Sequence, residues 1–181
     1  MVLQAIRYKR GELAILDQLK LPHQEVYINI GGPEDARNAI RSMQVRGAPA
    51  IAIVAALSLA VWGDHYKQTR RGHRTLERAL GRDTFTPSWF SHNLKYLVTS
   101  RPTAVNLADA ARKLEKVVWA AFEEPGATRS TVIEAYIETA EQMLVDDVQD
   151  NENIGEHGAN WILKNTSAEK PVSVLTHCNT G

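Results

Sequence analysis

The first thirty positions alternate between apolar and polar residues in short stretches, a pattern typical of β-strands. The stretches cover residues 3–8, 12–17 and 26–30. The second is the more ambiguous. The third is the cleanest, because Val26, Ile28 and Ile30 fall on one face of the predicted strand. Gly31-Gly32-Pro33 then ends that strand and opens a helix.

From Pro33 onwards the apolar residues recur at helical spacing. A first amphipathic helix is predicted from Pro33 to Met43, and a second from about Pro49 to Val61. Ser58 is the only polar side chain of the second helix, which we therefore expect to be buried. Four further helices are predicted over residues 87–98, 103–123, 131–148 and 154–163. Each is only half apolar, so they should pack as a bundle.

Residues 64–85 interrupt the periodicity. They are rich in Arg, Lys, Thr and Gly, and we predict an exposed insertion or long loop there. Its run of basic residues is more typical of a solvated loop than of a nucleic-acid surface, because no stacking aromatics are interleaved with it.

The last apolar stretch, residues 171–176, follows a helix and is predicted to be a strand of an α/β sheet. A parallel strand needs a partner and a crossover connection. Either it begins a second domain that is absent from this chain, or it pairs with the N-terminal strands. We predict an α/β protein with an N-terminal domain of short β-strands and a helical bundle over 1–165. Residues 166–181 would then hold the first strand of a truncated Rossmann-like parallel sheet.

Composition and charge narrow the function classes. Lys+Arg and Asp+Glu both number 21, which argues against a large basic surface for nucleic acid or anionic lipid. No signal peptide is expected at the N-terminus, and the apolar run 50–62 is short for a bilayer span. Cys178 is the only cysteine, so no disulfide forms within the chain and a reducing compartment is expected.

Two arginines stand at helix ends. Arg46-Gly47-Ala48 precedes the buried helix, where free N–H groups, the positive dipole end and a fork-shaped guanidinium suit a phosphate. An ordinary turn with a solvated arginine is the alternative. Arg101 lies between two predicted helices, where it is either a ligand residue, a surface residue or a helix cap.

Cys178 follows the last predicted strand in a polar turn. At that position the thiol is a candidate nucleophile, acid/base or electrostatic contributor, and a buried structural cysteine is the alternative. His177 is its neighbour, but adjacent side chains of extended backbone point apart, so no Cys–His dyad is predicted. The histidines show no metal-ligand spacing and no glycine-rich nucleotide motif is present, so no cofactor is expected.

Three motifs together resemble the methylthioribose-1-phosphate isomerase family, which is similar in fold to the regulatory subunits of the translation-initiation guanine-nucleotide exchange factor. They are Val45–Ala52 (VRGAPAIA), Ser100–Asn106 (SRPTAVN) and Leu175–Gly181 (LTHCNTG). The resemblance covers nearly the whole chain in register, except residues 64–85. It implies a C-terminal Rossmann-like domain, a homodimer, and a role in methionine salvage in the cytoplasm and also the nucleus.

The resemblance also implies an activity and its residues. The reaction is the conversion of 5-methylthio-α-D-ribose 1-phosphate to 5-methylthio-D-ribulose 1-phosphate, without metal or nucleotide cofactor. Arg46, Gly47 and Ala48 would hold the substrate, Arg101 would join them at its phosphate, and Cys178 would match the active-site cysteine. The family's acidic proton donor lies beyond Gly181, so we expect an inactive N-terminal half. A ribose-1,5-bisphosphate isomerase and a non-catalytic translation-factor subunit are the alternatives.

Overall fold

The computed structural model describes residues 3–70, 85–166 and 171–175. Those ranges contain three strands and five helices. In chain order they are β1 (Ile6–Lys9), β2 (Glu12–Leu16), β3 (Tyr27–Asn29), α1 (Pro33–Arg41), α2 (Ala48–Arg70), α3 (Pro87–Val98), α4 (Val105–Glu123) and α5 (Arg129–Asn165). The chain divides into two compact units, Met1–Leu144 and Val145–Gly181. The described part is thus mostly helical, with a small sheet.

The three strands form one antiparallel sheet in the order β1-β2-β3. Lys9 pairs with Glu12, so Arg10 and Gly11 make a two-residue turn, and Gly11 supplies its positive φ of 83°. The side chains of Leu13 and Ile15 on the central strand β2 are buried in the core. The three predicted N-terminal strands are confirmed, each with slightly different ends.

Helix α2 forms the centre of the first unit. Every residue from Ile51 to Val61 is buried, and the hydroxyl of Ser58 is satisfied by donating to the Ala55 carbonyl at 2.7 Å. Its length and composition would suffice to cross a membrane, but 72% of its most apolar stretch is buried inside the protein. The predicted burial is therefore confirmed, as expected for the core helix of a folded domain.

Helix α2 also runs nine residues beyond its predicted end, as far as Arg70. Asp64 and Tyr66 are buried, as is Phe85, whose ring centroid lies 4.7 Å from that of Tyr66. The exposed loop predicted from residue 64 is wrong for these positions, because no helix-breaking residue follows Gly63 directly and aromatic packing holds the last turns. Residues 71–84 lie outside the described part.

Helix α3 begins and ends where the sequence predicts. Pro87 occupies its first turn, and the side chain of Thr86 accepts a hydrogen bond from the Trp89 N–H at 3.2 Å. The helix buries Phe90, which stacks on Tyr136 of α5 with ring centroids 4.6 Å apart. Trp62, Phe85 and Trp89 extend this aromatic cluster across α2 and α3.

Helix α5 is continuous over 37 residues, where two separate helices were predicted. The polar stretch between those two segments does not break it. Asn151 donates to the Asp147 carbonyl at 2.7 Å, and Gln149 donates to the Asn153 side chain at 3.0 Å. Local side-chain hydrogen bonds of this kind let polar residues stay within a helix. Helix α4 begins at Val105 rather than 103.

Residues 171–175 carry no regular structure and are exposed. The strand predicted over 171–176 is therefore wrong for these five residues. Within the described ranges the sheet consists of β1, β2 and β3. A strand exists only through a hydrogen-bonded neighbour, which these residues lack there.

Candidate functional site

The first predicted site, Arg46-Gly47-Ala48, lies in the loop from α1 to α2 and at the start of α2. Gly47 has a φ of 93°, a left-handed conformation that favours glycine, and its carbonyl accepts from the Ile51 N–H at 3.0 Å to start α2. Arg46 folds back so that its Nε donates to the Met43 carbonyl at 3.2 Å. Arg46, Gly47 and Ala48 are all exposed. The left-handed turn at Gly47 therefore leaves this segment exposed to solvent.

The start of α2 is suited to an anion. The N–H groups of Ala48 and Ala50 precede the first intrahelical hydrogen bond, and Pro49 has no N–H to offer. No acidic residue lies in this first turn to compete for the donors. The positive end of a long helix dipole and the exposed Arg46 guanidinium add favourable charge. These groups can together bind a phosphate.

Arg101 is the second predicted residue, and its backbone is held from both sides. The Ser100 N–H donates to the Leu97 carbonyl at 3.0 Å, and the Arg101 carbonyl accepts from the Ala104 N–H at 2.9 Å. The side chain is half-buried. Among the residues the structure describes, no hydrogen bond or ion pair engages its guanidinium, which leaves it able to bind a ligand.

The helices that carry or lead to the two segments, α1, α2 and α3, pack against one another. Gly32, just before α1, lies against the Trp62 ring, and the Trp62 and Trp89 ring centroids are 5.3 Å apart. Helices α1 and α3 thus both start beside Trp62, which lies roughly 20 Å along α2 from Ala48. The loop after α1 carries Arg46 to the start of α2. The C-terminal end of α3, which leads to Arg101, contacts the middle of α1 through the bond from Arg37 to Thr99 at 3.2 Å.

The other predicted site residue is not described. Cys178, together with its neighbour His177, lies outside the described ranges, and its role stays a prediction. Within residues 3–70, 85–166 and 171–175, no three His, Cys, Asp or Glu side chains come together in a way that could hold a metal ion.

A charged network at the β1–β2 turn was not anticipated from the sequence. Arg10 bonds to Glu134 at 2.5 Å and to Glu141 at 2.6 Å, and the Tyr8 hydroxyl donates to Glu141 at 2.8 Å. Lys67 of α2 is the other partner of Glu134. These contacts join residues more than sixty positions apart, so no local pattern could have signalled them. The network fastens the sheet to α2 and α5.

The hydrogen bonds of this network set the charge states of its members. Bonds from Lys67, and then from Arg10, lower the pKa of Glu134, against the opposing effect of burial. The bond from Arg10 likewise lowers the pKa of Glu141. Burial, and then the bond to Glu141, raises the pKa of Tyr8. The network is structural, because its acidic and basic side chains pair with one another rather than with a ligand.

Sequence comparison identifies relatives of the chain. The model of the initiation factor 2 subunit family matches residues 44–181. The chain is 55% identical to a methylthioribose-1-phosphate isomerase of Pyrenophora tritici-repentis, covering 100% of this chain and 44% of that protein. It is 50% identical to the protein of that name from Hordeum vulgare, covering 99% of this chain and 46% of the relative. The chain thus spans less than half the length of these relatives.

Two solved structures share the fold. The 5-methylthioribose 1-phosphate isomerase of Pyrococcus horikoshii aligns with a TM-score of 0.69 at 26% identity, covering 88% of this chain and 40% of that one. The delta subunit of the translation initiation factor eIF-2B from A. fulgidus aligns with a TM-score of 0.67 at 26% identity, covering 88% and 42%. The same arrangement of sheet and helices therefore occurs in an isomerase and in a translation factor.

Proposed function

The chain belongs to the initiation factor 2 subunit family, and on that basis we propose that it supplies the phosphate-binding part of a methylthioribose-1-phosphate isomerase. The observation that carries the proposal is the exposed Arg46-Gly47-Ala48 turn at the start of α2, together with a half-buried Arg101 that follows a helix end in contact with α1. A sugar phosphate needs donors of this kind, and a protein scaffold has no need of them together. The relatives that carry the isomerase name support the same activity.

The proposed division of labour follows from the donors. The first-turn N–H groups of α2 hold the phosphate oxygens, with the Gly47 turn keeping side-chain bulk away from them. Arg46 and Arg101 supply charged hydrogen bonds, which are stronger than neutral ones and directional. The phosphate is the end of the substrate that does not change, so these groups fix its position while the sugar carbons react.

The substrate itself dictates the chemical steps. Its C1 carries both the ring oxygen and the phosphate, so the ring opens only when an acid protonates the ring oxygen as the C1–O bond breaks. Loss of the proton from C2 then gives an enol, and protonation at C1 leaves a ketone at C2. Alternatively, a hydride moves from C2 to C1. The atoms balance in both routes, and Cys178 would either carry the C2 proton or stabilise the developing charge.

Further parts of the proposal concern the whole protein. Residues 166–181 would begin a Rossmann-like domain, and the active enzyme would be a homodimer that holds no cofactor. It would act in methionine salvage, in the cytoplasm and also the nucleus. We propose no nucleic-acid or membrane partner.

The alternative activities are less well supported. The relatives described above are named for methylthioribose 1-phosphate, which favours that substrate over ribose 1,5-bisphosphate. The two archaeal structures, an isomerase and an eIF-2B subunit, are equally distant at 26% identity. A non-catalytic translation-factor subunit is less favoured because the relatives at 50% and 55% identity carry the isomerase name.

The test is a hybrid protein in which residues 1–181 replace the matching segment of the Pyrenophora relative. We expect it to isomerise 5-methylthioribose 1-phosphate, and Arg46→Ala and Arg101→Ala each to lower kcat/KM about ten- to a hundredfold, the loss typical of a charged hydrogen bond. Arg112→Ala on α4 is the matched control, because Arg112 is exposed and pairs with Asp109. A folded hybrid without isomerase activity would contradict the proposal.

A further inference from the structure

One arginine links the helices that lead to the two phosphate-binding segments. The Nε of Arg37, in the middle of α1, donates to the Thr99 hydroxyl at 3.2 Å. Its guanidinium also lies over the Tyr96 ring, 4.7 Å from the centroid. Both partners belong to the last turn of α3 and its cap. Arg37 therefore makes two different contacts with the residues just before Arg101.

The acceptor of this hydrogen bond is itself fixed. The Thr99 hydroxyl donates to the Tyr96 carbonyl at 2.6 Å, and the Ser100 hydroxyl donates to the Leu97 carbonyl at 2.6 Å. These bonds add to those that the Thr99 and Ser100 N–H groups make to the same two carbonyls. A hydrogen-bonded helix cap thus lies between Arg37 and the backbone of Arg101.

The other end of the link leads to Arg46. Helix α1 ends at Arg41, and the Ser42 and Gln44 N–H groups return to the Asn38 and Ala39 carbonyls at 2.9 Å. The Met43 carbonyl then accepts from Arg46. The loop bearing Arg46 is consequently tied to α1, just as Arg101 is tied to α3. The distance between the two arginines depends on how α1 and α3 are aligned.

We propose that Arg37 is a positioning residue that sets the spacing of Arg46 and Arg101 for the substrate phosphate. This inference rests on the proposed function. The Nε hydrogen bond and the ring contact of Arg37 both face the end of α3, so the role assigned to Arg37 is to position that segment rather than to bind the phosphate. A planar guanidinium can stack and donate at the same time, and a lysine ammonium cannot reproduce that geometry.

The kinetic signature of this role differs from that of general destabilisation. A misplaced phosphate site weakens binding of the part of the substrate that does not react, so KM rises while kcat is nearly unchanged. In the hybrid isomerase we expect Arg37→Ala to raise KM about three- to tenfold and to change kcat less than about twofold. Tyr96→Ala should do the same, and the double variant should be no worse than either single one.

Matched controls show whether a raised KM comes from the lost contacts of Arg37 or from its lost charge. Arg41→Ala removes the same charge one turn further along α1, and Tyr96→Phe keeps the ring face that the guanidinium covers. Both should leave KM unchanged, and Arg37→Lys should restore it only in part. If Arg41→Ala raises KM as much as Arg37→Ala does, long-range charge explains the effect and positioning is overturned. If Arg37→Ala does not fold, Tyr96→Ala gives the answer.

A phosphate titration tests positioning without the isomerase assay. Inorganic phosphate added to the full 181-residue chain should shift the NMR signals of the Gly47 and Ala48 amides. Arg37→Ala should weaken that binding about three- to tenfold, and Arg41→Ala should not. If the hybrid is inactive while phosphate binding is weakened by Arg37→Ala and not by Arg41→Ala, the isomerase function is refuted and the positioning role of Arg37 is supported. If Arg37→Ala binds phosphate as tightly as the original chain, or if the chain binds no phosphate, the positioning role of Arg37 is refuted even when the hybrid is active.

Discussion

Two glycines share a backbone conformation but differ in their surroundings. Gly47 and Gly126 have φ values of 93° and 80°, and neither would bring an added Cβ closer than 3.9 Å to another atom. An alanine at either position adopts the left-handed region at a cost of about 1–2 kcal/mol. The loss of stability should therefore be similar, because it comes from the backbone alone.

Their effects on ligand binding should differ. Gly47→Ala should also weaken phosphate binding, since relaxing the strained turn redirects the N–H groups at the start of α2. Gly126→Ala, in the turn before α5, should leave binding unchanged. Thermal melts and phosphate titrations of both variants check this. Equal phosphate affinity in the two variants would mean that the Gly47 turn does not shape the site.

At the residue scale, local patterns predicted the turn before α2 but not the contacts between residues distant in sequence. The Gly47 turn was predictable because a glycine before a helix start is informative by itself, and the binding roles of Arg46 and Gly47 stay predictions. Arg37 could not, since its partner Thr99 is 62 positions away and nothing around it in sequence distinguishes it from Arg41. The partners of Arg10 lie 124 and 131 positions away. Long-range polar contacts depend on packing that local patterns do not encode.

At the scale of elements, the charged network makes the attachment of the sheet sensitive to acid. Glu134 and Glu141 have lowered pKa values in the folded protein because of Lys67 and Arg10. In the acid range the unfolded chain therefore binds more protons, and stability rises with pH there. The contribution is fully present above the ordinary glutamate pKa of about 4.3 and is lost as pH falls through the lower folded values.

Replacing one carboxylate should remove part of that dependence. We expect Glu141→Gln to be less stable than the original by about 1 kcal/mol at pH 7, since the pairs are partly exposed, and to lose less stability between about pH 5 and 3. Glu138→Gln, at an exposed position of the same helix, is the control and should follow the original profile. Urea titrations across this pH range provide the measurement. An unchanged acid profile for Glu141→Gln would contradict the assignment.

Helix ends were predictable where a local signal exists. Helix α3 has Pro87 in its first turn and Thr86 as its cap, and its bounds agree with the sequence prediction. Helix α2 has no such stop after Val61, and its last turns are held by Tyr66 against Phe85, a contact across the undescribed segment. For helix α5 the sequence predicts two helices, because the polar middle of this segment lacks apolar periodicity. Apolar periodicity identified these helices but not their full length.

At the scale of the whole molecule, helix α5 belongs to two units with different environments. Its first part buries Val132, Ile133 and Tyr136 in the core of the first unit. From residue 145 to 165 nearly every side chain is exposed, including Trp161 at 66%. An isolated helix of that length is marginal in water, since tertiary packing supplies most helix stability. The two parts should therefore open independently.

Hydrogen exchange on the full chain tests this directly. Amides from 132 to 140 should be protected to nearly the global stability, and those from 145 to 165 should exchange close to the unprotected rate. Gly155 and Gly158 lie within the exposed part, and no atom comes within 4 Å of a Cβ added at either one. Alanine there gains about 1 kcal/mol of helix propensity, so Gly158→Ala should slow exchange of nearby amides about fivefold without affecting residues 132–140. Uniform protection along α5 would instead mean that the helix opens as a single unit.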